Sequence, residues 1–293
     1  MSTENLEINQ IVADVAQTAP QSQAKLTEFF AEDLIGYLQA IKKLSNTSGA
    51  TWFRGQSKRS YHLEPGLYRH PAIKGLSNSH SKAAELESKL MERFKNHSVP
   101  YVGHKFVHED EWAQLFFMQH YRVPTRLLDW SYSPLVALHF ALSGATSKPD
   151  SSDAACAVWT LHPETWNGAA LSHQSAPSKI YGTDSDEIKP YKAGAAFKLQ
   201  TADAIAIEGI HNSPRIVAQQ GAFTIFGPTT SPMEEQFKSN AYPNASLGVI
   251  TIKSEHVQGM TKELIDAGIL ETTIYPDLEG LACRLKRELS FGA

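Results

Sequence analysis

The sequence has little cysteine. Cys156 and Cys283 are the two cysteines in 293 residues, and they lie far apart, near no metal-ligand spacing. A disulfide-stapled framework is excluded, and a reduced, intracellular protein is expected. No run approaches the roughly 18–20 apolar residues of a membrane-spanning helix. The opening MSTENLEINQIVADVAQTAPQSQAK has no apolar stretch of a signal peptide. A cytoplasmic location with no membrane partner is the expectation. Positive charge is also not in excess: the formal net charge is −4. That argues against a general DNA-binding surface and leaves room for a local basic groove. The strong catalytic spacings are missing too, with no P-loop, Rossmann glycine fingerprint, HExxH, CxxC or GxSxG. YGTDSDEIKPY is acidic but does not match an EF-hand loop, and the 12 histidines are scattered, so no metal is predicted.

What is present is a globular composition, with 42% hydrophobic and 20% charged residues. Residues 1–24 are polar and read as a flexible arm, with a single domain over 25–293. The segment TEFFAEDLIGYLQAIKKL carries Phe29, Phe30, Leu34, Tyr37, Leu38, Ile41 and Leu44 at helical spacing, which predicts a helix over 27–44. TWFRGQ reads as a buried strand. SKAAELESKLMERFKNHS and DEWAQLFFMQHY read as helices, VPTRLLDW as extended. SPLVALHFAL reads as a central helix with Ser133 as N-cap and Pro134 in its first turn. AACAVWTL, ADAIAIEG, GAFTIFG, LGVITIKS and ETTIYP read as strands. The expected class is α+β, with a helical N-terminal half packed on a β-rich C-terminal half.

Three stretches carry chemistry. In TWFRGQS, a permanent cation follows two bulky apolar residues. Arg54 is costly to bury without an anionic partner, and Gly55 lets a ligand approach the backbone closely. Either Arg54 grips a phosphate or carboxylate, or it forms a structural ion pair, for instance with Asp129. The second stretch is QHYRVPTRLLDWSYSPLVALHFAL. It sets His120, Tyr121, Thr125, Arg126, Asp129, Ser131 and Ser133 among apolar residues, as a cleft wall would. Ser133 is more simply a helix cap, Trp130 a core residue and His120 a satisfied core histidine. Arg126 and Asp129, three apart on an extended segment, point to opposite faces and need separate partners. The third stretch, PRIVAQQGAFTIFG, places Gln219 and Gln220 at a strand entry.

WFRGQ, LEPGLYR, QHYRVPTRLLDWSYSPLVALHFA, RIVAQQGAFTIF and GILETTIYPDLEGLACRLK, in that order, resemble the successive blocks of the FRG-domain family, from about Ala50 to Lys286. One departure is Arg122, where the family has a small residue, often glycine. A more remote resemblance is to ADP-ribosyltransferases of the arginine–serine–glutamate type. WFRG resembles their first element, and DWSYSPLVALHFA their second, with Ser131 and Ser133 in the serine positions. That resemblance implies a split two-sheet core and NAD as substrate. Arg54 would hold the diphosphate or ribose side and the Gly55 backbone the nicotinamide amide. Tyr68 or Tyr121 would stack on the nicotinamide ring, with Gln56, Arg69, Thr125 and Arg126 completing the NAD-binding set. The glutamate of the third element has no direct counterpart. Gln219 or Gln220 stands nearby without negative charge, so the carboxylate is sought in Asp129, Glu111 or Glu208. The expected catalytic set is Asp129, Gln220 and His120.

The implied function is an NAD-dependent ADP-ribosyltransferase-like effector or toxin, in anti-phage defence, acting on a protein or nucleic-acid acceptor and restrained by an antitoxin partner. The alternatives are a non-catalytic nucleotide- or partner-binding module, and a metal-independent nuclease using His120 with Arg126.

Overall fold

The computed structural model describes residues 24–45, 49–74, 79–102, 110–145, 155–174, 176–193, 202–210, 213–239 and 242–291. The arm expected over 1–24 lies outside them except for its last residue. Seven strands form one sheet: β1 (Thr27–Phe30), β2 (Trp52–Gln56), β3 (Leu127–Ser131), β4 (Ala155–Leu161), β5 (Ile205–Ile207), β6 (Gly221–Ile225) and β7 (Leu247–Lys253). The helices are α1 (Leu34–Leu44), α2 (Ser79–Val102), α3 (Glu111–His120), α4 (Pro134–Ser143), α5 (Pro163–Ala170), α6 (Pro214–Ala218), α7 (Met233–Ser239), α8 (Ser254–Asp266), α9 (Glu271–Ile274) and α10 (Leu278–Glu288). A 3-10 turn covers Gly66–Arg69. No helix among the described residues is long and apolar enough to cross a membrane.

The class is α+β, as expected, but the two halves of the chain interleave. The strand order is β1-β7-β4-β2-β3-β6-β5, so β2 and β3 from the first half sit inside the sheet, next to β4 and β6 from the second. The β1–β7 pair is parallel and the other pairs are antiparallel. Alternation along the strands supplies both faces. Phe53, Val158, Ile250 and Ile252 pack against Tyr37, Leu138 and Leu264 of α1, α4 and α8. Trp52, Trp159 and Val249 face the other way, into a layer with Tyr68, Trp166 and Phe237.

Two elements differ from expectation. The helix expected over 27–44 starts at Leu34, because Asp33 caps it and accepts the Gly36 N–H at 2.7 Å. Residues Thr27–Phe30 instead pair with β7. ETTIYP, rich in β-branched residues, forms the single turn α9, closed by a 2.7 Å bond from the Tyr275 N–H to the Glu271 carbonyl. Proline at 276, which has no N–H to give, follows directly.

Helix α4 starts where its sequence says it should. Ser133 Oγ accepts the Val136 N–H at 3.3 Å, and Pro134 occupies the first turn. The helix lies directly on β2 because residue 55 is glycine. A Cβ there would stand 1.9 Å from the Ala137 carbonyl oxygen and 2.5 Å from the Ala141 nitrogen. The missing side chain of Gly55 therefore serves helix packing, and the residue also lines a cleft, where the sequence expected close ligand approach.

Candidate functional site

Strand β2 pairs with β4 along its whole length, from Trp52 to Gln56. With β3 it shares one rung, Phe53 with Ser131. Beyond that rung β3 continues its pairing with β6 alone, from Leu127 to Ser131. The sheet is continuous, where the remote resemblance implied two sheets, but it is parted at its middle. Arg54 sits in the parting. Its Nη1 donates to the Asp129 main-chain carbonyl at 2.6 Å, an acceptor that the neighbouring backbone would use if the ladder ran on.

The parting opens into a cleft of about 380 Å³, within the range of ligand sites. Arg54, Arg69, Arg122 and Arg215 line it, and Asp129 is the carboxylate among its lining residues. Desolvation lowers the Arg54 pKa to about 10, with Asp129 pulling it up and Arg69 pulling it down. The group stays charged at neutral pH. Its Nε is buried with no hydrogen-bond partner, an unmet donor beside the cleft.

Asp129 is exposed to the cleft, with protein atoms crowding its other sides. That desolvation raises its carboxyl above the ordinary value, against the pull of Arg54, the Gln119 amide and Arg69. Gln119 Nε2 donates to Asp129 Oδ2 at 2.7 Å. Arg54 and Asp129 thus meet through a main-chain carbonyl rather than as a sealed ion pair. His120 lines the same cleft, with Nδ1 3.2 Å from Ser213 Oγ. Desolvation and then Arg215 lower its pKa, against the pull of Asp277, which favours the neutral ring.

Several expected site residues take other roles. Tyr68 is 1% exposed, bonds the Gly227 carbonyl and packs edge-on to Phe226, so it does not reach the cleft to stack on a ring. Tyr121 is 57% exposed beside the cleft-lining His120 and packs on Phe117 and His120. Arg126 is sealed in the core. It pairs with Glu87 at 2.6 Å and donates to the Phe226 and Tyr191 carbonyls, which removes it from NAD binding and from any pairing with His120 in a nuclease centre. It points away from Asp129, as strand alternation requires.

Gln56 edges the cleft, but its amide is spent on the His62 carbonyl and the Trp159 indole. Ser131 does line the cleft, with its Oγ donating to the Gln219 carbonyl at 2.6 Å and accepting the Ser133 N–H. Ser133 is the cap of α4. Thr125 is buried and bonds Gln119. Of the two glutamines, Gln219 lines the cleft, whereas Gln220 is exposed in a left-handed turn at φ 48°. Glu111 opens α3 and Glu208 follows β5, and neither lines the cleft.

Arg215 and Tyr275 were not anticipated. Arg215 bonds Asp277 at 2.9 Å and Glu279 at 2.8 Å, and lies 4.7 Å over the Tyr275 ring. Both belong to sequence blocks that resemble the family, yet neither residue type marks a cleft by itself. Arg122 has φ 60°, the left-handed region, just past the end of α3. That is where glycine is favoured, so a glycine at this position would be free of the strain that Arg122 carries. Among the described residues, no group of three or more His, Cys, Asp or Glu could hold a metal ion.

Fold and site together define an α+β protein with an arginine-lined cleft at a parting in its central sheet. Residues 49–150 match the family model of the FRG domain, and the chain carries an FRG domain there. That stretch includes Arg54, Gln119 and Asp129. No curated protein and no solved structure matches the chain.

Proposed function

We propose that the cleft binds NAD and that the protein transfers its ADP-ribose unit to a protein or nucleic-acid acceptor, as a cytoplasmic effector or toxin held in check by an antitoxin. The observation that carries this reading is the parting of β2 from β3, with Arg54 set in the opening beside Asp129. The residues fit such a ligand. Guanidinium groups suit a diphosphate, and the half-buried Phe140 and Tyr275 offer flat apolar surface in the same cleft.

In the transfer, the bond from ribose C1′ to nicotinamide breaks, nicotinamide leaves with the bonding electrons, and the acceptor bonds C1′ and releases its proton. Arg54 and Arg69 hold the negative diphosphate. The ionised Asp129 places negative charge where positive charge develops, which is the largest kind of contribution a fixed group makes. Neutral His120 is free to take the acceptor proton.

A second reading is nucleotide binding without turnover. Its support is specific: Gln219, the cleft-lining one of the two glutamines where the remote resemblance looks for a glutamate, is uncharged and donates to the Ile274 carbonyl at 3.2 Å. One experiment separates the two. Purified protein is titrated with NAD by calorimetry and incubated with NAD labelled in the adenylate part, with cell extract as acceptor, and binding, nicotinamide release and label transfer are followed. The transferase reading expects both, with loss of at least about a hundredfold in Asp129→Asn, the scale of removing one transition-state contact. NAD binding with no nicotinamide release would leave the binding module. No binding at all would remove both.

A further inference from the structure

The proposed reaction needs Asp129 ionised, and two neighbouring side chains bear on that. We propose that Gln119 and Thr125 are positioning residues that form an oriented relay, fixing the Asp129 carboxylate by an amide that can only donate to it. The proposal rests on the transferase reading for its purpose, though not for its geometry.

The chain of bonds starts on the backbone. The Leu127 N–H, at the first residue of β3, donates to Thr125 Oγ1 at 3.1 Å. Thr125 Oγ1 is thereby an acceptor, and its own proton is directed elsewhere, to Gln119 Oε1. An amide presents one acceptor oxygen and one donor nitrogen. With Oε1 taken by the threonine hydroxyl, the NH2 group is the one turned to Asp129, and it donates to Oδ2 at 2.7 Å. The reverse amide orientation would set Oε1 against the carboxylate, an arrangement that only a protonated carboxyl could satisfy. This order of donors and acceptors favours the ionised carboxylate, because the amide N–H bonds a charged acceptor more strongly than a neutral one.

The relay is short and well anchored. Thr125 is 1% exposed, and Gln119 is half-buried in the last turn of α3. The charged groups facing Asp129 from other elements are Arg54 on β2 and Arg69 at the end of the 3-10 turn, and both favour the ionised form. Desolvation opposes them. Gln119 adds a hydrogen bond to the charged form, which acts in the same direction as the two cations. A hydrophobic side chain at 119 or 125 would fill the space and leave this unsupplied.

The test reads the carboxyl group itself, in the full chain and without NAD. Aspartate is labelled with 13C at the carboxyl carbon, and the Asp129 signal is identified by its loss in Asp129→Asn. Its titration is then followed by NMR. Gln119→Leu should bind the Asp129 proton at least about threefold more tightly, since hydrogen bonds to charged groups exceed that energy. Thr125→Val should shift it in the same direction by freeing the amide to turn, and Thr125→Ser should restore the native value. An unchanged titration in Gln119→Leu overturns the relay by itself, whatever the valine variant does. Equal shifts in the valine and serine variants would assign the effect to packing and overturn the threonine's part. If the titration shifts as expected but the native protein releases no nicotinamide, the transferase reading fails while the relay stands.

Discussion

Arg54 and Arg126 are two arginines of the same sheet, and their surroundings could hardly differ more. Arg126, at the entrance to β3, is fully buried. Glu87 neutralises it, and the Phe226 and Tyr191 carbonyls take two of its N–H groups. Arg54, on β2, has one carbonyl partner, a buried Nε with none, and a cleft in front of it. A buried cation whose protein partners answer it is a structural element. A half-buried cation left partly unanswered, at a place where the sheet fails to close, waits for an anion from outside. The residue type is the same; the satisfaction of its donors separates the two roles.

The comparison breaks most visibly at Arg126. Arg126→Ala leaves the Glu87 carboxylate buried without its cation, which should cost about 3–5 kcal/mol of stability. Urea unfolding measures this. A loss under about 1 kcal/mol would mean that the core pair is hydrated or relaxed and that the contrast with Arg54 is overstated. Arg122→Gly acts in the other direction. It relieves a left-handed residue, worth about 1 kcal/mol, and should raise the melting temperature while removing one cation from the cleft.

The smallest effect is expected at Asp129. Its carboxyl is raised by desolvation, so ionising it in the folded state is unfavourable relative to the unfolded chain. The penalty is absent below the ordinary aspartate range, near pH 4. It grows as pH rises and is complete above the raised folded value. Asp129→Asn should therefore melt slightly higher than the native protein at pH 7 and at the same temperature near pH 3. A mutant less stable at pH 7 would show that the carboxylate is held for stability rather than for chemistry.

Much of this was legible in the sequence where local chemistry dictates structure. Ser133 with Pro134 announced α4. The spacing of Arg126 and Asp129 announced that they face apart, and Arg54 between Trp-Phe and glycine announced a cation needing an explanation. Roles that depend on distant partners were not legible. Nothing in LEPGLYR says that Tyr68 will meet the Gly227 carbonyl, 159 residues on. Nothing near Arg126 names Glu87. The cleft also draws Arg215 and Tyr275 from the far end of the chain, and Gly55 is required by the α4 backbone, which cannot be foreseen from its own neighbours. The β-branched ETTIYP misled because its one helical turn is fixed by local hydrogen bonds and the following proline, not by propensity.

The most direct test is a calorimetric titration of NAD into the native protein, Arg54→Ala and Arg126→Met. The cleft at the parted sheet predicts saturable binding by the native chain. It predicts a roughly 10- to 100-fold loss in Arg54→Ala, the value of a charge-assisted contact, and near-native affinity in Arg126→Met, provided that variant folds. Equal affinity in the native protein and Arg54→Ala, or no binding by the native protein, would contradict it.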